Sequence, residues 1–175
     1  MLDFISEDTC AKHRYAYSAE SLRLSVLLRA SGISGKSPRE IAATRIKGVD
    51  TAAISEIAAS VLLHECFFSS FEYGKNQPSR IAKRDFGSEA SLISELYRLA
   101  VPLRLGFVAV LASRDKAIAR GAENCRELLS LGEPILALDL SEHAYFCDFG
   151  FDKGAYLAAA LPRLALSRLD AYFLK

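Results

Sequence analysis

The chain has 175 residues, of which 51% are hydrophobic and 25% are charged, and its formal net charge is +1. This composition is typical of a globular protein with a substantial core, built as one domain or two small ones. The near-neutral charge and the lack of like-charge blocks argue against a nucleic-acid-binding protein and against one that binds an anionic membrane surface. The N-terminus, MLDFISEDTC, lacks the basic and apolar segments of a signal or transit peptide. We expect no transmembrane span, because we interpret the longest apolar runs as interrupted by Arg or Pro. We also expect a cytoplasmic protein.

The first elements along the chain are predicted to be helices. SAESLRLSVLLRAS is predicted to be helical, with Ser18 as its N-cap. KSPREI carries a clearer signal, because Ser37 can cap a helix, Pro38 then occupies its first position, and Glu40 completes a capping box. Two helices are therefore expected before the one that opens at Asp50 or Thr51.

The longest predicted helix lies in TAAISEIAASVLLHECFFSSF and begins at Asp50 or Thr51. Its apolar residues recur at steps of three and four, which indicates one buried face, and His64 falls on that face four residues before Phe68. EYGKNQPS, residues 72–79, is expected to be a loop. GSEASLISELYRLAV predicts a further helix that begins near Ser88.

The pattern changes at Gly106 to short apolar segments bounded by turn-forming residues. GFVAVLAS, KAIARG and PILALDL predict three strands, the last of which ends at Asp139. The second and third strands are expected to be joined by a longer loop through Asn124 and Gly132. These segments predict a small antiparallel sheet.

The end of the chain is predicted to be helical again. SEHAYFCDF indicates a helical segment, and GAYLAAALPRLALSRLDAYFLK indicates a helix that Pro162 breaks or kinks. The predicted fold class is α+β, with a helical N-terminal half followed by a three-stranded antiparallel sheet flanked by helices. We expect a helical, hairpin-like domain over residues 1–87 and an α+β domain over residues 88–175.

The stretch ALDLSEHAYFCDFG places charged residues within an apolar framework, where they need a partner or a metal ion. His64, Asp139 and His143 together form a set of two histidines and one carboxylate, which suits iron, manganese or zinc. Each residue also has a plainer interpretation. His64 can be a core histidine, and Asp139 can cap the helix that carries His143. Glu142 can be a solvated surface residue.

A resemblance favours the metal-site interpretation. DLSEHAYF resembles the D-x-W-E-H-A-Y signature of the iron/manganese superoxide dismutases. Six weaker likenesses run in the same order over residues 17–165. YSAESLRL resembles S-A-E-T-L-E-x-H, GKSPREI resembles G-K-S-L-E-E-I, and LLHECFFSSF resembles W-N-H-x-F-Y-W. DFGSEASLISEL, RLGFVAVLAS and GAYLAAALPRL resemble later helix, strand and helix segments of that family.

The resemblance implies specific roles for the residues of the signature. His64, Asp139 and His143 correspond to three of the family's four ligands to iron or manganese. Glu142 corresponds to the glutamate that pairs with the ligand histidine of the other subunit, and Phe146 stands where the family has a dimer-spanning tyrosine. The resemblance therefore implies a homodimer, or a heterodimer with a conventional superoxide dismutase chain.

The chain also departs from the family pattern. In the alignment with YSAESLRL, Ser25 stands at the position of the first ligand histidine, and the family's gateway His and Tyr have no counterpart. Ser60 replaces the glutamine that holds the metal-bound water in iron enzymes. Ser141 replaces a tryptophan, and the aromatic residues of W-x-W become Phe107 and Ala109. These changes predict that the residues around the ligands would orient and tune a bound metal less well.

Three interpretations follow. The leading one is a superoxide-dismutase fold with an incomplete metal site, partial or absent iron or manganese, weak or no dismutase activity, and a binding or regulatory role as a dimer. The alternative is a divergent but active enzyme that converts two superoxide ions and two protons into O₂ and H₂O₂. It would need a replacement fourth ligand, and His13 is the only other imidazole. The third is a three-ligand metal protein of different chemistry. The sequence leaves open whether Cys66 and Cys147 enter the site.

Overall fold

The structure is a computed structural model that describes residues 2, 4–32, 35–43, 51–71 and 78–174. Its first five helices are α1 (Glu7–Ala30), α2 (Pro38–Ala43), α3 (Thr51–Ser69), α4 (Arg80–Phe86) and α5 (Glu89–Ala100). Then come β1 (Phe107–Ser113), β2 (Lys116–Ala122), α6 (Cys125–Leu131) and β3 (Glu133–Asp139). The chain continues through a 3₁₀ turn (Glu142–Ala144), α7 (Phe146–Phe149), α8 (Lys153–Ala160), a second 3₁₀ turn (Leu161–Arg163) and α9 (Ser167–Phe173).

The described helices follow the predicted pattern with one large shift, and α4 is a further helix that the sequence patterns did not single out. The capping box at α2 is confirmed, because Glu40 Oε2 accepts the backbone N–H of Ser37 at 2.7 Å and Ser37 Oγ accepts that of Glu40 at 3.3 Å. The first helix, however, begins at Glu7 rather than near Ser18. Its N-cap is Ser6, whose side chain accepts the N–H at the third helical position. The expected start at Asp50 and residues 72–77 of the expected loop lie outside the described residues.

The three strands form an antiparallel sheet in the order β2-β1-β3, as predicted. The central strand β1 is buried along almost its whole length. The pairing of β1 with β3 places Phe107 opposite Asp139, at the edge where the third strand ends. The link between β2 and β3 is not the loop that was expected. It contains α6, because the side chain of Asn124 accepts the N–H of Glu127 at 2.9 Å and caps a helix there.

The helical segment at the end of the chain is interrupted at Pro162, as predicted. Helix α8 ends at Ala160, the proline lies in a 3₁₀ turn, and α9 begins at Ser167. The proline ring removes one backbone donor, so a regular helix cannot continue through it. The break separates α8 from α9, which packs against α4 and β3.

One large core joins the helical half to the sheet. It contains Phe67 from α3, Leu92 from α5, Leu136 from β3 and Tyr156 from α8, all fully buried or nearly so. A smaller cluster lies between α1, α2 and α3. The domain boundary at residue 87 stays a prediction, since the large core crosses it.

Helix α3 is the most apolar helix in the described part of the chain. Its window Ala52–Ser69 is long and apolar enough to cross a membrane by length and composition, although 56% of it is buried inside the protein. This window contains no Arg or Pro, so the interruption expected from the sequence is wrong for α3. A helix that passes through a protein core meets the same test, and the burial of α3 in both hydrophobic clusters agrees with that role.

Candidate metal centre

Four side chains from four separate elements meet at the junction of the two halves. His13 comes from α1, His64 from α3, Asp139 from the end of β3, and His143 from the 3₁₀ turn that follows β3. One potential ligand atom from each lies within 4.8 Å of all the others. The first three side chains are buried and His143 is partly exposed. The four residues are called the His₃Asp cluster below.

The distances within the cluster have the dimensions of a coordination sphere. Asp139 Oδ2 lies 2.9 Å from His13 Nε2, 2.9 Å from His143 Nε2 and 3.3 Å from His64 Nε2. The Nε2 atoms of His64 and His143 are 3.4 Å apart. With bond lengths near 2.1 Å, two donors on one ion lie about 3.0 Å apart at a right angle and about 3.6 Å apart at 120°. The cluster therefore fits a single metal ion.

The carboxylate of Asp139 is held so that one oxygen faces the histidines. Its Oδ1 accepts the backbone N–H of Ser141 at 2.8 Å, and its backbone carbonyl accepts the hydroxyl of Tyr156 at 2.8 Å. Both Asp139 and Tyr156 are completely buried. These contacts fix the end of β3 and leave Oδ2 as the atom directed into the cluster.

The electrostatics of the cluster keep Asp139 ionised. Burial by itself raises the pKa of this carboxyl group, but the adjacent imidazoles of His13, His143 and His64 outweigh burial and hold the pKa well below its usual range. The pKa of His13 is lowered, chiefly by burial. A neutral imidazole and an ionised carboxylate are the forms that bind metal ions.

His13 carries the clearest sign that the cluster is built for an ion. Its side chain is fully buried, and neither ring nitrogen makes a hydrogen bond of acceptable geometry with any described residue. Nε2 lies 2.9 Å from Asp139 Oδ2, yet it is not aligned with that oxygen for a hydrogen bond. Buried polar atoms are rarely left without a partner. A metal ion bound to Nε2 would supply one.

His64 is oriented by its own helix. Its Nδ1 donates a hydrogen bond to the backbone carbonyl of Ser60 at 2.9 Å, which leaves Nε2 free to act as a ligand. The ring of Phe107 packs edge-on against the imidazole with centroids 5.2 Å apart. Burial by itself lowers the pKa of His64. The hydrogen bond and the negative charge of Asp139, with smaller contributions from Ser60 and Glu20, outweigh burial, so the pKa is raised.

His143 lies at the accessible edge of the cluster, with 33% of its side chain exposed. Its neighbours Glu142 and Phe146 are also exposed, and the ring of Phe146 contacts that of the exposed Phe151 edge-on at 5.1 Å. Ser141, in the family's tryptophan position, is partly buried and contributes its backbone N–H to Asp139. A small solute would reach the cluster most directly at this edge.

The structure corrects the expected position of the first ligand. Ser25 is exposed, and its hydroxyl donates to the backbone carbonyl of Ser21 at 3.0 Å. It follows His13 by twelve residues on the same helix, about 18 Å along the axis. His13, rather than Ser25, lies with His64, Asp139 and His143 in the structure. SEDTCAKH, from Ser6 to His13, has the same serine-to-histidine spacing as S-A-E-T-L-E-x-H and would have located this ligand.

The two cysteines left open by the sequence lie outside the His₃Asp cluster. Cys66 is buried, and burial raises the pKa of its thiol to about 11, so it is a thiol rather than a thiolate near neutral pH. It borders a cavity of about 610 Å³ between α2, α3, α6 and β3. Cys147 is exposed, and its Sγ accepts a hydrogen bond from Lys12 Nζ at 2.9 Å.

Sequence comparisons agree with this geometry. A family model described as iron/manganese superoxide dismutases, C-terminal domain, matches residues 75–167, just over half of the chain. The iron superoxide dismutase of Cupriavidus metallidurans is 31% identical over 121 residues, which cover 65% of this chain and 61% of that protein. The chloroplastic iron superoxide dismutase 2 of Oryza sativa subsp. japonica is 32% identical over 116 residues, which cover 61% of this chain and 46% of that protein.

A helical half, a three-stranded antiparallel sheet and a convergent His₃Asp cluster that could hold a metal ion define a protein with a fold of the superoxide-dismutase type. The chain belongs to the iron/manganese superoxide dismutase family. Its aligned part spans about three fifths of the length of the Cupriavidus relative and less than half of the rice one. The rice relative is named as chloroplastic, and the cytoplasmic location expected for this chain stays a prediction.

Proposed function

We propose that the chain binds iron or manganese through the His₃Asp cluster and dismutates superoxide to O₂ and H₂O₂. The observation that carries the proposal is the convergence of four donor side chains, including a fully buried His13 whose ring nitrogens have no hydrogen-bond partner among the described residues. Family membership supplies the reaction class, and the cluster supplies a complete set of protein ligands.

The residues of the cluster suit this chemistry in three ways. One carboxylate and three imidazoles are the ligand types that bind these metals. When bound, the metal would supply a centre that accepts one electron and returns it. Burial of His13, His64 and Asp139 keeps bulk water away from these three donors, and the partly exposed His143 leaves one edge open to a small substrate.

A second candidate is a metal-binding member with weak dismutase activity and a binding or regulatory role. The observation in its favour is the presence of Ser60 and Ser141 where the resembled enzymes have glutamine and tryptophan. Polar groups around the ligands set the reduction potential and hold the bound solvent. Small serines at both positions would leave the ligands intact and slow the turnover.

One experiment separates these functions. The wild-type protein, His64→Ala and the exposed Ser25→Ala are purified from cells supplied with iron and manganese. Metal per chain is measured by inductively coupled plasma mass spectrometry, and superoxide consumption is measured after pulse radiolysis. The proposal predicts about one metal per chain and a catalysed rate in wild type and Ser25→Ala, and loss of both in His64→Ala. Bound metal without a catalysed rate would favour the second candidate, and wild type without metal would contradict both.

We also propose that the chain forms a homodimer, with a heterodimer as the other possible assembly. Glu142 is exposed beside the partly exposed His143, so its carboxylate is free to meet a ligand histidine of a second subunit. In an isologous dimer this contact would occur twice.

Sedimentation velocity on wild type, Glu142→Ala and the control Glu127→Ala tests the homodimer. Glu127 is an exposed glutamate on α6, a different element from the turn that carries Glu142. We expect dimer in wild type and Glu127→Ala, and a shift toward monomer in Glu142→Ala. A monomeric wild type would contradict the homodimer, and a dimer unchanged by Glu142→Ala would remove this contact from the interface.

A further inference from the structure

A carboxylate outside the His₃Asp cluster approaches it from the first helix. Glu20 lies on α1 seven residues after His13, on the side of the helix that faces α3. Its Oε2 accepts the hydroxyl of Ser60 at 2.6 Å and lies 3.5 Å from Nδ1 of His64. Ser60 is 9% exposed and the Glu20 side chain is 38% exposed. The two residues are called the Glu20–Ser60 pair below.

We propose that Glu20, held in place by Ser60, is a positioning residue that orients His64 and strengthens it as a ligand. This inference rests on the proposed function, because it concerns the same metal centre. It gives Ser60, which replaces the glutamine of the resembled iron enzymes, a role in fixing a neighbouring carboxylate.

The physical basis is the environment of the His64 ring nitrogen that faces away from the cluster. Nδ1 donates to the backbone carbonyl of Ser60 at 2.9 Å, while the Glu20 carboxylate lies just beyond it at 3.5 Å. That longer distance makes Glu20 a nearby negative charge rather than the direct hydrogen-bond acceptor. A carboxylate on the outer side of a ligand histidine raises the electron density that the ring offers to the metal. The more oxidised metal gains most from this, so the reduction potential falls.

A purely structural role for the Glu20–Ser60 pair makes a different prediction. The hydrogen bond joins α1 to α3, and its loss could loosen the packing of the two helices. Such loosening would lower stability without changing the reduction potential of a correctly bound metal. The variant Glu20→Gln separates these roles, because its amide oxygen can still accept the Ser60 hydroxyl while the negative charge is removed.

The experiment compares four iron-loaded proteins: wild type, Glu20→Gln, Ser60→Ala and the control Glu7→Gln, which removes the same charge from an exposed glutamate at the start of the same helix. Reduction potentials are measured by spectroelectrochemical titration, and iron affinity by competition with a chelator. We expect the potential to rise in Glu20→Gln, to rise by less in Ser60→Ala, and to stay unchanged in Glu7→Gln. Iron affinity should fall about 10-fold in Glu20→Gln, the lower end of the usual range for such outer residues.

The outcomes distinguish this inference from the proposed function. Equal potentials in wild type and Glu20→Gln, with iron bound in both, would overturn the inference and leave the proposed function standing. Wild type that binds no iron would overturn the proposed function and the inference with it. Circular dichroism checks that each variant folds. If Glu20→Gln does not fold, Ser60→Ala decides the matter, and an unchanged potential in that variant would overturn the inference.

Discussion

Replacement of His13 tests which residue completes the metal site. In His13→Ala the cluster keeps two imidazoles and one carboxylate, so metal binding should weaken strongly. The companion variant Ser25→His restores a histidine at the position first assigned to the missing ligand. Because Ser25 lies about 18 Å along α1 from His13, that histidine cannot reach the cluster. The double variant should therefore behave like His13→Ala.

The effect can be sized through the linkage between binding and folding. Metal at a free concentration of roughly 1,000 times Kd stabilises the folded state by about 4.1 kcal/mol, and a 100-fold rise in Kd removes about 2.7 kcal/mol of this. For a chain of 175 residues, 1 kcal/mol corresponds to a Tm change of roughly 2–4 °C. The metal-induced rise in Tm should therefore shrink by about 5–11 °C in His13→Ala.

Differential scanning calorimetry of each protein, with chelator and with manganese, measures this rise directly. Ser25→His alone should match wild type, because the exposed position 25 lies far from the cluster. Two results would refute the reasoning. One is a full metal-induced rise in His13→Ala, and the other is recovery of the rise in the double variant.

Three further predictions concern groups that support the site or the fold. Tyr156→Phe removes the hydroxyl that donates to the buried backbone carbonyl of Asp139. Urea titration should show a loss of about 1–3 kcal/mol in the free energy of unfolding. A loss below about 0.5 kcal/mol would contradict this prediction. Gly106→Ala should lower the free energy of unfolding by about 2 kcal/mol or more, because φ is +92° and the new methyl group would clash with the backbone of Ala122. A Tm equal to that of wild type in thermal melts would contradict this. Burial raises the pKa of Asp170, but the backbone N–H groups at the start of α4 outweigh burial and lower it. The ionised Asp170 carboxylate therefore stabilises the folded state fully at pH values above its unfolded-state pKa of about 3.9. This stabilisation is lost as the pH falls through the lower pKa of Asp170 in the folded state. Urea titrations of wild type and Asp170→Asn should differ at pH 6 and converge near pH 2, and a constant gap would count against this reasoning.

Local patterns predicted the sheet and the closeness of Asp139 and His143. The three strands are short apolar segments between turn formers, so their type and order follow from nearby residues. Asp139 and His143 lie four residues apart, where one strand end and one turn bring them together without help from distant elements. The α6 helix was missed because it spans only Cys125–Leu131, too short for a clear period.

The contributions of α1 could not be predicted from hydrophobic periodicity. His13 stands between the exposed Lys12 and Arg14, so its immediate neighbours in the sequence do not indicate that it is buried. Its face is buried because α3 and the 3₁₀ turn at Glu142–Ala144 pack against α1. The likeness of YSAESLRL to the family motif led to Ser25, whereas the same spacing counted from Ser6 leads to His13. The Glu20–Ser60 pair joins residues forty positions apart and likewise depends on helix packing.

The most direct test of the metal centre is an anomalous diffraction map of crystals grown with Mn²⁺. The account predicts one strong peak bonded to Nε2 of His13, His64 and His143 and to Oδ2 of Asp139, with each bond close to 2.0–2.3 Å. A peak bonded to the other three residues but not to His13 would contradict the four-ligand site. Manganese bound only at other positions would contradict the metal centre altogether.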